Sequence, residues 1–158
     1  MEQQLQELRA LAARAENRRT ETGIPRVAMV QGEIPEHALA AVYAPMVNLI
    51  LTGSKTMTVG ERTFHYDPAT YFVMSVDLPA VGSVHPASTG EPYLAVSLTL
   101  DPAVAAALIH DAHAQTGAML SGSAFSVAPV GAELLDAWVR MLRLIERPHE
   151  IAVLAPAY

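Results

Sequence analysis

The sequence predicts an α+β domain in which an antiparallel β-barrel is flanked by one N-terminal helix and two C-terminal helices. Two observations support this prediction. Between residues 27 and 100 apolar residues recur mostly with period two, which is typical of strands, whereas before and after this region they recur at helical spacing. Strands and helices are therefore segregated along the chain, which favours an α+β domain over alternating β–α–β units.

The first element is an amphipathic helix predicted over residues 3–19. Leu5, Leu8 and Leu11 form one apolar stripe, and Gly23 and Pro25 follow where the helix should stop. Short strands are then predicted at residues 27–30, 41–43 and 47–51. The last of these is almost continuously apolar, as expected for a strand that is covered on both faces.

A β-hairpin is the clearest local motif of the chain. Residues 55–59 and Arg62–Tyr66 both alternate, and Gly60-Glu61 between them places glycine first, as a type II′ turn requires. Asp67-Pro68 breaks the second strand. Further strands are predicted at residues 71–76, 80–85 and 93–100. A small antiparallel barrel is the simplest container for these strands, and such barrels often hold one small ligand.

The period changes again after the last of these strands. Asp101 and Pro102 are typical of an N-cap and a first helical position, which predicts a helix ending near Gly117. Residues 121–130 are interpreted as a connection, and residues 132–147 as a second helix. Its apolar stripe has three-four-three spacing, which suits packing within the chain or against a second helix across an interface: Leu135, Trp138, Leu142 and Ile145.

Composition limits the function classes. The 158 residues fit one domain, and 51% apolar with 16% charged residues indicate an ordered protein. The net charge of −6 indicates that the chain does not bind DNA by itself, because DNA-binding surfaces are basic. Without cysteine there is neither a disulfide framework nor a thiolate metal site, and no apolar run is long enough to span a bilayer. A cytoplasmic location fits this composition.

Five polar residues are candidates for binding a ligand in the barrel. Asn48, Ser75 and Ser97 are small polar residues in otherwise apolar strands, where they would orient a ligand if they point inward. Asp77 could contact a ligand or cap the turn before Pro79, and His85 could be a pocket donor or a surface residue. Face assignment depends on register, since a slip of one residue inverts it.

Catalytic and metal-binding motifs are weak. The chain has no cysteine nucleophile and no G-x-S-x-G elbow, so no catalytic residue is predicted. His65 and His85 lie on different predicted strands and lack the H-x-H pair of metal-binding barrels. His110 and His113 are three residues apart, but they lie off the apolar stripe of their predicted helix and have no companion ligand. Neither a metal nor a cofactor is predicted.

A longer stretch carries a family resemblance. The run GSKTMTVGERTFHYDPATYFVMSVDLPAVG, followed by EPYL at residues 91–94 and LDP at residues 100–102, resembles the N-terminal domain of AraC-type transcriptional regulators. The resemblance extends over about residues 41–154. It implies a cupin-like barrel that senses an effector and dimerises, commonly through the helices after the barrel, ahead of a DNA-binding module. Thr52 departs from the glutamine that relatives often have there.

The resulting functional hypothesis is a ligand-sensing and dimerisation domain of a transcription regulator. Its expected parts are the N-terminal helix at 1–22, the barrel at 27–100 and a helical dimerisation region at 101–147, with a helix-turn-helix module outside this chain. The expected partners are a small-molecule effector and a second copy, with DNA contacted only through the missing module and no membrane. Leu135, Trp138, Leu142 and Ile145 are the expected dimerisation residues.

Two alternatives remain open at this point. One is a small metal-dependent cupin enzyme, such as an isomerase or a dioxygenase, which would need convergent histidines and a carboxylate on inward faces. The other is a dimerisation module without ligand, because a small barrel can be filled by its own side chains.

Overall fold

The computed structural model describes residues 1–16, 18–32, 39–103 and 125–158. Its strands are β1 Arg18–Glu21, β2 Val27–Gly32, β3 Leu39–Tyr43, β4 Met46–Thr52, β5 Ser54–Val59, β6 Arg62–Tyr66, β7 Thr70–Met74, β8 Leu78–His85, β9 Tyr93–Thr99 and β10 Phe125–Pro129. They form a six-stranded sheet of order β1-β2-β9-β4-β7-β10 and a four-stranded sheet of order β3-β8-β5-β6. All the pairings between these strands are antiparallel, and the inner faces of the two sheets share one apolar core.

A helical layer covers the back of the six-stranded sheet. It consists of α1 (Glu2–Ala12), α2 (Ala132–Arg143) and the short α3 (Ile151–Leu154). Leu8 of α1 and Leu142 of α2 are fully buried in the apolar core between this layer and the sheet. The first helix therefore packs on its own protomer. No helix in the described ranges has the length and apolar character needed to cross a bilayer.

Polar contacts fix α1 in this layer. The Arg143 guanidinium of α2 donates to both carboxylate oxygens of Glu7 at 2.5 and 3.0 Å. Arg9 Nε donates to the Leu51 carbonyl of β4 at 2.9 Å, so α1 is tied to the sheet as well. These contacts lie at the edge of the leucine stripe of α1. The helix therefore packs its apolar face against the core and pairs its charged groups beside that face.

The central strands β4 and β9 contribute to both cores because successive side chains point to opposite faces. Leu49 and Val96 face the helices, whereas Ile50 and Ala95 face the second sheet. All four are fully buried. This explains the almost continuous apolar run at residues 47–51. It also means that β4 and β9 contact both the barrel interior and the helical layer.

The hairpin prediction is confirmed. β5 pairs with β6, and Gly60 has φ 59°, the positive value that the first position of a type II′ turn demands. Met57 and Tyr66 point inward and are buried, while the hydroxyls of Thr58 and Thr63 meet at 3.0 Å on the outward face. The alternation in the sequence therefore assigned the faces of this hairpin correctly.

Two boundary predictions were wrong. The first helix ends at Ala12 rather than near residue 19, because Arg18–Glu21 instead pairs with β2 over four residues. Residues 121–130, interpreted as a connection, contain β10, which pairs with β7 from Phe125 to Pro129. The region 101–147 is thus not wholly helical. In both cases the segment forms a strand because it hydrogen-bonds to a neighbouring strand. Neither the helical periodicity of the first segment nor the small residues of the second reveal such a pairing.

The start of the helix predicted after β9 is visible. Asp101 Oδ1 accepts a hydrogen bond from the Ala103 backbone N–H at 2.8 Å, the contact expected of an N-cap aspartate. The rest of that predicted helix, including His110 and His113, lies outside the described residues. The second predicted helix is α2, which ends at Arg143 and continues as a 3₁₀ turn at Leu144–Glu146.

Candidate functional site

The barrel interior between the two sheets holds a polar cluster inside an apolar shell. We call it the interior cluster and define it by six side chains contributed by both sheets: Tyr43, Asn48, Lys55, Tyr66, Tyr93 and Ser97. The four-stranded sheet supplies the lysine and two tyrosines, and the six-stranded sheet supplies the other three. Aromatic and thioether groups pack around them, among them Met57, Phe72 and Met74.

Lys55 is the single lysine of the chain and lies on the inward face of β5. Its Nζ lies 5.1 Å from the centroid of the Tyr43 ring and 5.6 Å from that of Phe72, which belongs to the opposite sheet. Both distances are in the range of cation–π attraction. Burial lowers the pKa of the Lys55 ammonium to about 8, because the charged form loses hydration inside the barrel.

No ion pair to Lys55 is found within the part of the chain that the structure describes, where the buried polar residues besides tyrosines are Asn48 and Ser97. The carboxylates described there lie outside this buried set. Aromatic rings therefore supply the contacts that the structure gives for the ammonium. Lys55 and Tyr43 both retain some solvent-accessible surface, so solvent reaches this part of the cluster.

The ionisation of the three cluster tyrosines depends on burial and on the neighbouring hydroxyls. Burial raises the pKa of Tyr66, and the hydroxyls of Tyr93 and Tyr43 raise it further, because a second negative charge nearby would be unfavourable. Burial also raises the pKa values of Tyr93 and Tyr43. All three hydroxyls therefore keep their protons at neutral pH. The Tyr93 hydroxyl is already hydrogen-bonded to the Asn48 side chain, which partly offsets the effect of burial on its pKa. Tyr66 Oη has no hydrogen-bond partner among the described residues.

Asn48 and Ser97 occupy the floor of the interior on paired positions of β4 and β9. They are 5% and 2% exposed, and in the described part of the chain Asn48 Nδ2 and Ser97 Oγ have no hydrogen-bond partner. An unsatisfied buried polar group costs about 1–3 kcal/mol. Two such groups side by side indicate a place where a bound polar molecule would complete the hydrogen bonding.

Gly82 brings the backbone of β8 against the interior cluster. A Cβ at this position would lie 2.7 Å from Tyr43 Oη, 3.3 Å from Lys55 Cε and 3.4 Å from Met57 Sδ. A side chain therefore does not fit there unless Tyr43 moves. Glycine inside a strand is a signal of close backbone approach, and here the approaching groups are the cation and a hydroxyl of the cluster.

The structure divides the five ligand-binding residues predicted from sequence. Asn48 and Ser97 meet inside the barrel. Ser75 and Asp77 are exposed in the connection between β7 and β8. His85 is exposed on the outward face of the four-stranded sheet, where its Nε2 lies 3.5 Å from Thr56 Oγ1. The structure does not bring these last three to the interior, so the prediction of a pocket donor at His85 is corrected. Their contact with a ligand otherwise stays a prediction.

Several members of the interior cluster were not predicted from the sequence. Lys55, Tyr43 and Tyr66 were not among the candidates, although Lys55 shares its face with Met57 and Val59 in the alternating pattern of β5. The signal was available: a lysine in register with inward apolar residues predicts an inward lysine. Lysine is rarely buried, which is why residue type outweighed register in that reasoning.

Metal-binding side chains do not converge within the described ranges. No group there contains three or more histidine, cysteine, aspartate or glutamate residues placed to hold a metal ion. His65 and His85 lie on the outward face of the four-stranded sheet on either side of Thr56, at 3.4 and 3.5 Å from its hydroxyl. They do not point into the barrel.

The predicted dimerisation stripe is covered by its own chain. Leu135, Trp138 and Leu142 are buried in the core between α2, α1 and the six-stranded sheet, and Ile145 packs at the edge of that core. Packing within one protomer therefore accounts for the three-four-three spacing. A role of these residues in pairing two protomers stays a prediction.

Small antiparallel barrels often hold one small ligand, and this one has unpartnered polar atoms in its interior among the described residues. The family model for the AraC-type transcriptional regulator N-terminus matches residues 23–158. The chain therefore belongs to the AraC-type transcriptional regulators, and the resemblance drawn from the run at residues 53–82 is confirmed. No curated protein matches the chain.

Two solved structures of ToxT from Vibrio cholerae are similar to this fold. ToxT of strain O395 bound to (E)-4-(8-methylnaphthalen-1-yl)but-3-enoic acid is 5% identical with a TM-score of 0.54, covering 74% of this chain and 46% of ToxT. ToxT of strain SCE256 bound to an unsaturated fatty acid is 11% identical with a TM-score of 0.53, covering 78% and 47%. The chain spans about half the length of these proteins. The cupin-like barrel with flanking helices is thereby confirmed.

Proposed function

We propose that this chain is the small-molecule-sensing domain of an AraC-type transcription regulator. The observation that carries the proposal is the interior cluster, whose Asn48, Tyr66 and Ser97 side chains have polar atoms without partners in the described part of the chain. A barrel filled only to stabilise itself would place apolar groups at these positions, because unsatisfied polar groups destabilise the fold. A bound effector supplies the missing partners.

The two ToxT structures support a ligand of small-molecule size for a regulator that contains this fold. Both were solved with an organic acid bound, and both share the fold of this chain. At 5% and 11% identity they show a similar fold but do not identify the ligand of this chain. The effector of this chain is therefore inferred from its own interior side chains.

Signal transmission follows from the two-faced strands. Asn48 and Ser97 face the interior, while their neighbours Val47, Leu49 and Val96 pack against the helical layer. A ligand that moves or stiffens β4 and β9 therefore acts directly on the packing of α1 and α2. It shifts the equilibrium between two arrangements of the regulator only by its difference in affinity for them.

The readout we propose is DNA binding by a helix-turn-helix module in the same regulator, with this domain itself making no DNA contact. The net charge of −6 supports this division of labour, because phosphate recognition needs a basic surface. We also propose that two copies of the domain pair, that the protein acts in the cytoplasm without membrane attachment, and that it catalyses no reaction. Sedimentation at several protein concentrations tests the pairing.

Thermal unfolding with a panel of organic acids, alcohols, sugars, aldehydes and aromatic compounds tests ligand sensing. A true effector at about 100 times its Kd should raise the melting temperature by roughly 5–10 °C. The variant Asn48→Leu should lose this rise, and Ser88→Ala in an exposed turn should keep it. If no class stabilises the protein while it sediments as a dimer, the ligand-free dimerisation module is the better description. A stoichiometric metal together with turnover would instead indicate an enzyme.

A further inference from the structure

We infer that the ligand of the barrel carries a carboxylate, which is held by the ammonium of Lys55 and by hydroxyls of the interior cluster. This inference rests on the proposed function and specifies the chemistry of its ligand. It starts from a mismatch of charge. Lys55 lies between the rings of Tyr43 and Phe72, and the described part of the chain places no carboxylate against it.

Placement distinguishes Lys55 from the arginines that the structure describes. Six arginines form ion pairs with side chains at or near the surface: Arg9, Arg14, Arg19, Arg26, Arg140 and Arg143. Arg147 pairs with Glu150 in the same way. Arg62 also contacts an aromatic ring, that of Phe64 at 5.1 Å, but it is exposed to solvent. A cation that is directed inward and left with aromatic contacts alone is a site for an incoming anion, because a buried charge is costly without a partner.

The neighbouring hydroxyls suit an oxyanion. Tyr43, Tyr66 and Tyr93 lie close enough for each to affect the ionisation of another, and Tyr66 Oη is unpartnered in the described part of the chain. A carboxylate has two oxygens and accepts several hydrogen bonds at once, and bonds from an ammonium or a hydroxyl to an ionised oxygen are stronger than neutral ones. Lysine and tyrosine donors together therefore match one carboxylate.

The surroundings select an acid with an apolar body. Phe72, Met57 and Met74 are fully buried in the same core as the cluster, so the rest of the ligand meets aromatic and thioether surface. A single cation balances a single negative charge, whereas a phosphate dianion would remain half uncompensated in a low-dielectric interior. The geometry thus favours a monocarboxylic acid with a hydrocarbon or aromatic body.

Ionisation of Lys55 gives the inference a pH signature. With a pKa of about 8, the ammonium is largely protonated at pH 7 and largely neutral at pH 9. If only the protonated form binds a carboxylate, affinity should fall about tenfold between these pH values. A neutral ligand of the same shape should show no such dependence. Binding should in turn raise the pKa of Lys55, since the carboxylate favours the charged form.

The single lysine makes a direct test possible. Protein labelled with ¹³C at the lysine ε-carbon gives one lysine signal, whose pH titration reports Lys55 alone. The probes are butanoate, octanoate and benzoate, each matched by its alcohol. We expect at least one acid to move the titration midpoint of the lysine signal upward by a unit or more, while its alcohol leaves the midpoint unchanged. An unmoved midpoint with every acid overturns the inference.

Variants separate this inference from the proposed function. Lys55→Met keeps the length and apolar stem of the side chain, and it should weaken octanoate binding at pH 7 at least tenfold. Arg62→Met removes an exposed cation on the adjacent strand and should leave affinity unchanged. If Lys55→Met binds acids and alcohols as the wild type does, the ligand-sensing proposal stands and the carboxylate inference fails. If neither kind of probe binds the wild type, the carboxylate inference fails, and the thermal-unfolding panel with sugars, aldehydes and aromatic compounds decides the ligand-sensing proposal.

Discussion

The two faces of the six-stranded sheet differ in the kind of side chains that they bury. On the back face, leucines of α1 and α2 pack against β4 and β9, an apolar cavity lies between α2 and strands β2, β4 and β9, and ion pairs such as Arg143–Glu7 lie at its edge. On the inner face, buried polar atoms of Asn48 and Ser97 lack partners in the described residues. The same strands therefore carry one face that packs against helices and one face that buries unpartnered polar atoms in the described residues. Stability and binding can be altered separately by choosing the face.

Removing volume from the back face should have the largest effect. Leu142 is fully buried against α1 and the sheet, so Leu142→Ala should lower the free energy of unfolding by about 2–5 kcal/mol. Val153→Ala is the control, because Val153 is 76% exposed and its truncation should change stability by less than about 0.5 kcal/mol. Urea unfolding measures both. Equal stabilities would show that the helical layer does not hold the fold together.

Adding volume to the inner face should have the next largest effect. Gly82→Ala places a methyl group 2.7 Å from Tyr43 Oη, so we expect a loss of about 1–3 kcal/mol and displacement of the cluster. The matched control is Gly131→Ala at the start of α2, where a Cβ meets nothing within 4 Å. The free energy of unfolding measured in urea and the rise in melting temperature with ligand should both decrease in Gly82→Ala and not in Gly131→Ala. A tolerated Gly82→Ala would contradict the close packing of the interior.

The buried lysine should make stability rise at mildly alkaline pH. The folded state holds Lys55 with a lowered pKa of about 8 while the unfolded state keeps the ordinary value, so the unfolded state binds more protons between them. Each unit of pKa is worth about 1.4 kcal/mol, reduced here because the side chain keeps some solvent contact. We expect the free energy of unfolding to increase by about 1–2 kcal/mol from pH 7 to pH 9.5.

Lys55→Met is the control for this pH dependence. It should be more stable than the wild type at pH 7 and should lose the increase toward pH 9.5, because no proton has to leave the interior. Above about pH 10 the sign reverses. The raised pKa values of Tyr43, Tyr66 and Tyr93 keep them protonated in the folded state while unfolded tyrosines ionise, which favours unfolding. A flat wild-type profile up to pH 9.5 would speak against a buried lysine.

The smallest effect is expected at the edge of the back face. Arg143 lowers the pKa of Glu7 through a hydrogen bond and through its charge, so this pair contributes stability that is lost as pH falls through the lowered pKa. Glu7→Gln should slightly lower the melting temperature at neutral pH and low salt, and the difference should shrink in 1 M salt. Gln6→Ala, on an exposed position beside it, should change nothing. A difference that is independent of salt would mean that packing rather than charge is responsible.

Sequence reasoning succeeded where one strand or one helix face determined the answer. The faces of β5 and β6 followed from alternation alone, and the hairpin followed from Gly60. It failed where the structure of a segment depends on pairing with a strand that is distant in the sequence. β10 forms because Phe125–Pro129 hydrogen-bonds to β7, which lies about fifty residues earlier in the chain. Nothing in the composition of that segment indicates its partner.

The candidate site could be predicted in part for the same reason. Asn48 and Ser97 were found because small polar residues interrupt apolar strands, and both proved to face inward. Lys55 and Tyr43 were missed because each residue type is common at surfaces, and their meeting depends on how the two sheets close over each other. His85 was left open as a pocket donor or a surface residue, because a residue at the end of a strand has a face that only register can fix, and the structure places it on the surface.

The inward lysine also decides how the domain responds to amine chemistry. Apart from the α-amino group of Met1, Lys55 is the only primary amine in the chain. Acylating reagents, amine-reactive dyes and amine-coupled sensor surfaces would therefore attach at the N-terminus or inside the barrel. The rate at which Lys55 becomes acylated would therefore report the fraction of barrels that hold a ligand, because an effector bound beside Lys55 would slow the modification. The N-terminal amine would serve as the internal reference.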